Sequence, residues 1–374
     1  MKILFACGGT AGHINPALAV ASLVRQDHPE AEILFVGNPD AMEAKLVPEA
    51  GFRFEAYRSL GIQRKLSWRN FKYNVRSVGL LMTSRSRAKK LLREFEPDLV
   101  FGTGSYISAP ILLEASRLGI KTMAHEANAL PGVSNRMVAD KVSRFLVAVP
   151  EAIERLPARQ DYIVTGNPVR PEILSASREE ARRRLRIGKD ELCLLSFGGS
   201  LGAQTINEAV ADLMAWHVPN GKIHHIHATG SYGKELFPEL LRERNVVFEG
   251  NPRLDIREYI SDMPDCLAAA DLVISRAGAM TLAELQCAGR ASILIPSPNV
   301  AENHQYHNAK VLEEHGAAVV IEEKDLTGEK LVETVKMLTE DPEKLRELGS
   351  CAWSLARPEA GETIVRELYR LYEE

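Results

Sequence analysis

LLSFGGSLGAQTIN, residues Leu194 to Asn207, decides the fold, because it repeats a pattern already present at the start of the chain. LFACGGTAGHINPA, Leu4 to Ala17, overlays it at a constant offset. Gly8, Gly9, Thr10 and Gly12 find Gly198, Gly199, Ser200 and Gly202, while His13 finds Ala203. Each copy reads as an apolar strand, a glycine loop and a helix. In the first, Pro16 stands in the opening turn, and Ala17, Leu18, Val20, Ala21 and Val24 follow at helical spacing. Glycines let backbone approach a ligand closely, and a helix start offers N–H groups to an anion. Two such units predict twin α/β domains of nucleotide-binding type with divided labour. The second suits a diphosphate, gripped by Ser200 and backbone N–H groups, and the first supplies a base. His13 is the candidate: a helix N-terminus disfavours the imidazolium and leaves a neutral ring able to take a proton. A capping or packing histidine is the alternative.

Alternation continues outward from both loops. In the first half, strands are expected at Glu32 to Val36, Asp98 to Gly102, Lys121 to His125, Phe145 to Val149 and Tyr162 to Thr165, with a helix at Ala109 to Leu118. The second strand ends in Gly37-Asn38-Pro39, without the acidic residue that holds the ribose in a dinucleotide site, which weakens an NAD reading. Asn128, in the HEAN run just past a strand's carboxyl end, can hydrogen-bond a sugar; turn chemistry before Pro131-Gly132 is its bland alternative. GNPVRP, Gly166 to Pro171, has the composition of a hinge. The domains are therefore expected at 1–166 and 167–356, with the amphipathic helix of 357–374 packing back on the first through Ile364, Val365, Leu368, Leu371 and Tyr372.

The second half is expected to hold strands near Ile223 to Thr229 and Val246 to Glu249, and then the run from Ser275 onward. There a strand at Leu272 to Ser275, a turn with Gly278, a helix from about Ala279, a strand at Ser292 to Ile295 and a helix beginning near Ala301 aim two helix N-termini at one edge of a parallel sheet. Glu284 suits two ribose hydroxyls, and Gln305, with a donor and an acceptor face, suits a sugar. The run reads as a nucleotide-sugar pocket; ordinary βα-turn packing, with an acidic residue favoured near a helix start, is the bland alternative. His224, His225 and His227 invite a metal, but alternation puts only His225 and His227 on one face with no acid nearby, so a strand surface is the expectation. No Asp-x-Asp pair holds a divalent ion against a diphosphate. No metal site and no required cofactor follow, a divalent ion being at most a stimulant.

At 374 residues, 45% hydrophobic and 26% charged, the chain is ordinary for a globular enzyme of two domains. Its five cysteines form no CxxC pair, against a zinc ribbon or disulfide framework and in favour of a reducing compartment. MKILFACGGT is a first strand rather than a signal peptide, and no apolar run has the length of a membrane span. Charge is uneven. No acid lies between Ala56 and Arg93, against eleven basic residues; in a chain of net charge −4, a segment of +11 leaves −15 for the remainder. Leu66, Trp68, Phe71, Val75, Val78, Leu80, Leu81 and Met82 interleave with these cations. Apolar side chains among cations favour an anionic leaflet over a nucleic-acid face, for which no motif is present; a solvated helix lying over a core is the bland alternative.

GGTAGHINPALAVA, HEANALPGVSNR, GNPVR, GGSLGAQTIN, SRAGAMTLAEL and NHQYHNA, in that order, resemble the MurG family of bacterial glycosyltransferases. The resemblance covers essentially the whole chain. It implies a GT-B architecture, two Rossmann-like domains facing across a cleft, with inverting transfer of N-acetylglucosamine from its UDP donor to the 4-hydroxyl of the muramic sugar in lipid I, giving lipid II. It implies that Thr10, Ala11 and Gly12 lie beside the reacting sugar, that His13 is the base and that Asn128 contacts the sugar. Arg170 and Ser200 would serve the nucleotide side and Ile260 the uracil. Ala279, Met280, Thr281, Leu282, Ala283 and Glu284 would hold diphosphate and ribose, and Gln305 the sugar hydroxyls. Leu66 to Lys90 would dock the enzyme peripherally on the cytoplasmic face of the cell membrane. Ala11 departs from the GGTGGH often found in the family, and Ala127 stands where a polar residue is common. A GT-B transferase with another acceptor, a UDP-sugar 2-epimerase and a non-catalytic nucleotide-sugar binding protein are the alternatives.

Overall fold

A computed structural model describes residues 1–59, 83–159 and 161–374. The chain divides into two compact units, Met1–Pro168 with Glu359–Glu374, and Val169–Pro358. The first is built on seven parallel strands: β1 (Lys2–Ala6), β2 (Glu32–Gly37), β3 (Arg53–Ala56), β4 (Leu99–Gly102), β5 (Lys121–Glu126), β6 (Arg144–Val147) and β7 (Tyr162–Val164), in the order β3-β2-β1-β4-β5-β6-β7. The second has β8 (Leu192–Phe197), β9 (Ile223–Ala228), β10 (Leu254–Arg257), β11 (Leu272–Ser275), β12 (Ala291–Leu294) and β13 (Val319–Val320), in the order β10-β9-β8-β11-β12-β13. Both are doubly wound, and in both the strand before the glycine loop lies where the order reverses. Ligands of such sheets bind there, beyond the carboxyl ends.

Continuous apolar strands follow from burial on both faces. In β1, Ile3 and Phe5 face one core, packing with Val20, Val24 and the C-terminal helix Ala360–Glu373, while Leu4 and Ala6 face the other with Ile107, Ile111 and Leu112. Phe5 stacks on Phe35 at 4.9 Å. The C-terminal helix buries Ile364, Val365, Leu368 and Leu371 and is tied down by Arg144, which donates to Glu367 Oε2 at 2.8 Å. Each such aliphatic side chain contributes roughly 1.5–3 kcal/mol by leaving water.

Three expectations change. Residues Val246 to Glu249 form no strand; Val246 is a core residue of the turn after the helix Leu236–Glu243, and the edge strand is β10. The helix after β4 begins at Ser105 rather than Ala109, with Gly104 and Ser105 in left-handed conformation at its start. The three histidines of β9 are not a strand surface. His225 and His227 do share a face, but all three are buried: His217 Nε2 lies 3.0 Å from His225 Nδ1, and Ser196 Oγ lies 2.8 Å from both His225 Nε2 and His227 Nδ1. One hydroxyl proton and one proton per ring suffice to make all three contacts, and burial favours these neutral rings, pushing His217 down to about 4 and His227 to about 3.

Of the basic segment, residues 60–82 lie outside the described residues. A helix over 83–95 carries Arg85, Arg87, Lys89, Lys90 and Arg93. Its Arg85 donates to Glu114 Oε2 at 2.9 Å and its Lys90 stands 3.6 Å from Glu94, so part of this charge is matched by acids. No helix among the described residues is long and apolar enough to cross a membrane.

Candidate functional site

In the first unit the residues singled out by sequence gather at neighbouring strand ends. Thr10 is the N-cap of the helix Ala11–Asp27, in extended conformation, and its carbonyl accepts from His13 N at 3.0 Å and Ile14 N at 3.2 Å. Thr10 and Gly12 are exposed, Ala11 and His13 half-buried. The His13 ring reaches the next strand, where Nδ1 lies 2.9 Å from the carbonyl of Thr103, whose hydroxyl donates back to the His13 carbonyl at 2.6 Å. A carbonyl can only accept, so Nδ1 carries the proton and the neutral ring has its lone pair on Nε2, the tautomer a general base needs. Gly104 makes room: a Cβ there would stand 3.2 Å from His13 Cε1.

One strand further, Asn128 is held by Glu126, whose Oε1 accepts from the Asn128 backbone N at 2.9 Å and from Nδ2 at 3.0 Å. Oε2 of the same buried carboxylate accepts from Gly132 N and Asn135 Nδ2, both at 2.9 Å. Glu126 thus shapes the whole turn that presents Asn128. Sequence reading assigned no role to Thr103 or Glu126. An acid just past a buried strand, followed by loop residues, was the available signal for Glu126; Thr103 acts largely through its backbone and left none.

In the second unit, Ser200 is exposed at the tip of its loop. The helix Ala279–Ala288 follows β11 with Gly278 as N-cap, and Ala279, Met280 and Thr281 supply the outward N–H groups of its first turn. Leu282 and Ala283 face inward: both are core side chains, and Leu282 N donates to the Gly278 carbonyl at 3.0 Å. Ile260, beyond β10, is also a core side chain, so its backbone is what this position offers outward. Glu284 Oε1 accepts from Arg170 Nε at 2.8 Å. Gln305 lies in the first turn of the helix His304–Glu314, which a left-handed pair, Glu302 and Asn303, separates from the turn begun at Ala301. Its Oε1 accepts from Ser297 N at 2.9 Å, which fixes the amide and makes Nε2 the donor. Among the described residues no group of three or more His, Cys, Asp or Glu could hold a metal ion.

Residues 3–147 match the glycosyltransferase family 28 N-terminal domain and residues 193–364 the family 28 C-terminal domain. The chain is 43% identical over 366 residues to the UDP-N-acetylglucosamine--N-acetylmuramyl-(pentapeptide) pyrophosphoryl-undecaprenol N-acetylglucosamine transferase of Desulfitobacterium hafniense, covering 98% of each. It belongs to the MurG family. The enzyme of the same name from Acetivibrio thermocellus is 41% identical, over 97% of this chain and 96% of the relative. MurG of Acinetobacter baumannii superposes with a TM-score of 0.77 at 27% identity, covering 99% of both chains. The calicheamicin glycosyltransferase CalG4, at 17% identity and a TM-score of 0.69, shares the fold. A MurG-family member is thus a pair of GT-B Rossmann-like domains, as both sheets show.

Proposed function

We propose that this chain is the transferase that moves N-acetylglucosamine from UDP-N-acetylglucosamine to the undecaprenyl-linked muramyl pentapeptide, lipid I, forming lipid II. Full-length similarity to enzymes named for that transfer carries the reading. His13 is the general base: Nε2 takes the proton of the acceptor 4-hydroxyl as that oxygen attacks C1 of the sugar on the face opposite UDP, inverting it to a β-1,4 linkage. Thr103 holds the tautomer. Thr10, Ala11, Gly12 and Asn128 line the acceptor and sugar side. The charge appearing on UDP is met by the N–H groups of Ala279, Met280 and Thr281, by Ser200 and by Arg170, without a required metal. Glu284, held by Arg170, takes the ribose hydroxyls, the Ile260 backbone meets the uracil, and Gln305 Nε2 donates to the sugar. Leu66 to Lys90 docks the enzyme on the anionic cytoplasmic leaflet where its acceptor resides.

Labelled transfer to a lipid I analogue in vesicles tests both parts. A β-1,4-linked product is expected, formed faster on vesicles with anionic lipid than on neutral ones. A UDP-sugar 2-epimerase would turn the donor over without acceptor, and a binding protein would give no turnover.

A further inference from the structure

Beneath the first glycine loop stands a carboxylate that the mechanism does not use. Glu43, in the first turn of the helix Glu43–Glu49, is fully buried. Its Oε2 accepts from Gly9 N at 3.1 Å and its Oε1 from Asn38 N at 2.9 Å, joining the loop after β1 to the end of β2. Two oxygens that both accept are the pattern of an ionised carboxyl. The fit is close. A Cβ on Gly8 would overlap Glu43 Oε1, and one on Gly37 would overlap Glu43 Cγ. The neighbouring Cys7 thiol is pushed well up by burial and by the Glu43 charge.

We infer that Glu43 is the positioning residue of the reacting loop, holding Gly9 so that Thr10 and His13 are presented in register, and withdrawing the Gly9 amide from anion binding. The inference rests on the reading of His13 as base. Burying a carboxylate is costly unless its hydrogen bonds are made, and a neutral amide in its place has one acceptor for two N–H donors. From the anchored Gly9, left-handed at φ 87°, the chain turns directly into Thr10, whose carbonyl receives His13 N. A shift at Gly9 is therefore passed to the base within four residues. In the twin loop, among the described residues, no carboxylate meets Gly199 N, and a Cβ on Gly199 would meet nothing within 4 Å. That amide can serve a phosphate; the Gly9 amide, covered by an anion, cannot. Glu43 itself cannot touch substrate, being fully buried, so it acts through the loop.

The test is a double-mutant cycle of Glu43→Gln and His13→Ala, with transfer to a lipid I analogue, UDP affinity and thermal melting measured for all four proteins. Glu43→Gln should lower kcat about tenfold or more with the KM for UDP-N-acetylglucosamine unchanged. In the His13→Ala background the same change should cost less than about twofold. Equal penalties in both backgrounds, or a Glu43→Gln enzyme with wild-type kcat, would overturn the inference alone. A His13→Ala enzyme as active as wild type would overturn the base reading and this inference with it. Should Glu43→Gln not fold, Glu43→Asp, which keeps the charge but retracts it by one methylene, takes its place; failure of both to fold would assign Glu43 to the fold and overturn the positioning role.

Discussion

The loops Gly8–His13 and Gly198–Ala203 follow the equivalent strand of their sheets, β1 and β8, but the first enters its helix at Ala11 and the second only at Gln204, and different things lie beneath them. Under the first is the Glu43 carboxylate. Under the second is a tight turn: Gly202 packs against Thr229 and Gly230, Tyr232 N donates to Leu201 O at 3.1 Å, and Asn207 Nδ2 donates to Thr229 O at 3.0 Å. The shared glycine pattern gives the same left-handed turn at Gly9 and Gly199 but different courses at Gly12, which is helical, and Gly202, which is left-handed. What the exposed N–H groups are left to bind is decided by the neighbour underneath, which the pattern does not contain.

The comparison breaks most visibly at its matched glycines. Gly202 sits at φ 83° with no room for a methyl, since a Cβ would overlap the Thr229 carbonyl, whereas on Gly12 it would meet only Thr10 Oγ1 at 3.7 Å. Gly202→Ala should therefore cost about 3 kcal/mol, from backbone strain together with the clash. Gly12→Ala, at a helical position, should change stability by less than about 1 kcal/mol and in the stabilising direction. Thermal melting of the two variants decides it, and equal Tm losses would mean the loops are packed alike.

A smaller difference separates the units in acid. The second unit holds His217, His225 and His227 neutral by burial, with His217 at about 4 and His227 at about 3. The unfolded chain binds their protons below its ordinary pKa near 6.5, while the folded unit does not, so stability is complete above that pH and falls as pH drops toward 4. His217 and His227 should each cost about 1.5 kcal/mol between pH 6.5 and 5. Melting followed across this range should show the loss, and His217→Gln should flatten it.

Much of the fold was legible because apolar runs and glycine turns carry it: the strands at Leu272 to Ser275 and Lys121 onward stand where periodicity puts them. Val246 failed because an apolar turn capping a core looks like a short strand when only its composition is read. The β9 histidines failed for a related reason. A polar residue on a strand suggests a wet face, and only the distant Ser196 and His217 reveal that the hydrogen bonds are made inside. At the site, the groups that would touch substrate were visible at loop ends, while two of their supports, Thr103 and Glu43, act across the sheet over sequence distances that no local pattern spans; Glu126, by contrast, ties the turn that immediately follows it.

The central claim, that the first unit supplies the base and the second holds the donor, is tested most directly by UDP release with and without a lipid I analogue in His13→Ala beside wild type. The account predicts acceptor-dependent release in the wild type, lost by about a hundredfold or more in the variant while UDP-N-acetylglucosamine still binds as tightly. Acceptor-dependent release that survives in His13→Ala would contradict it.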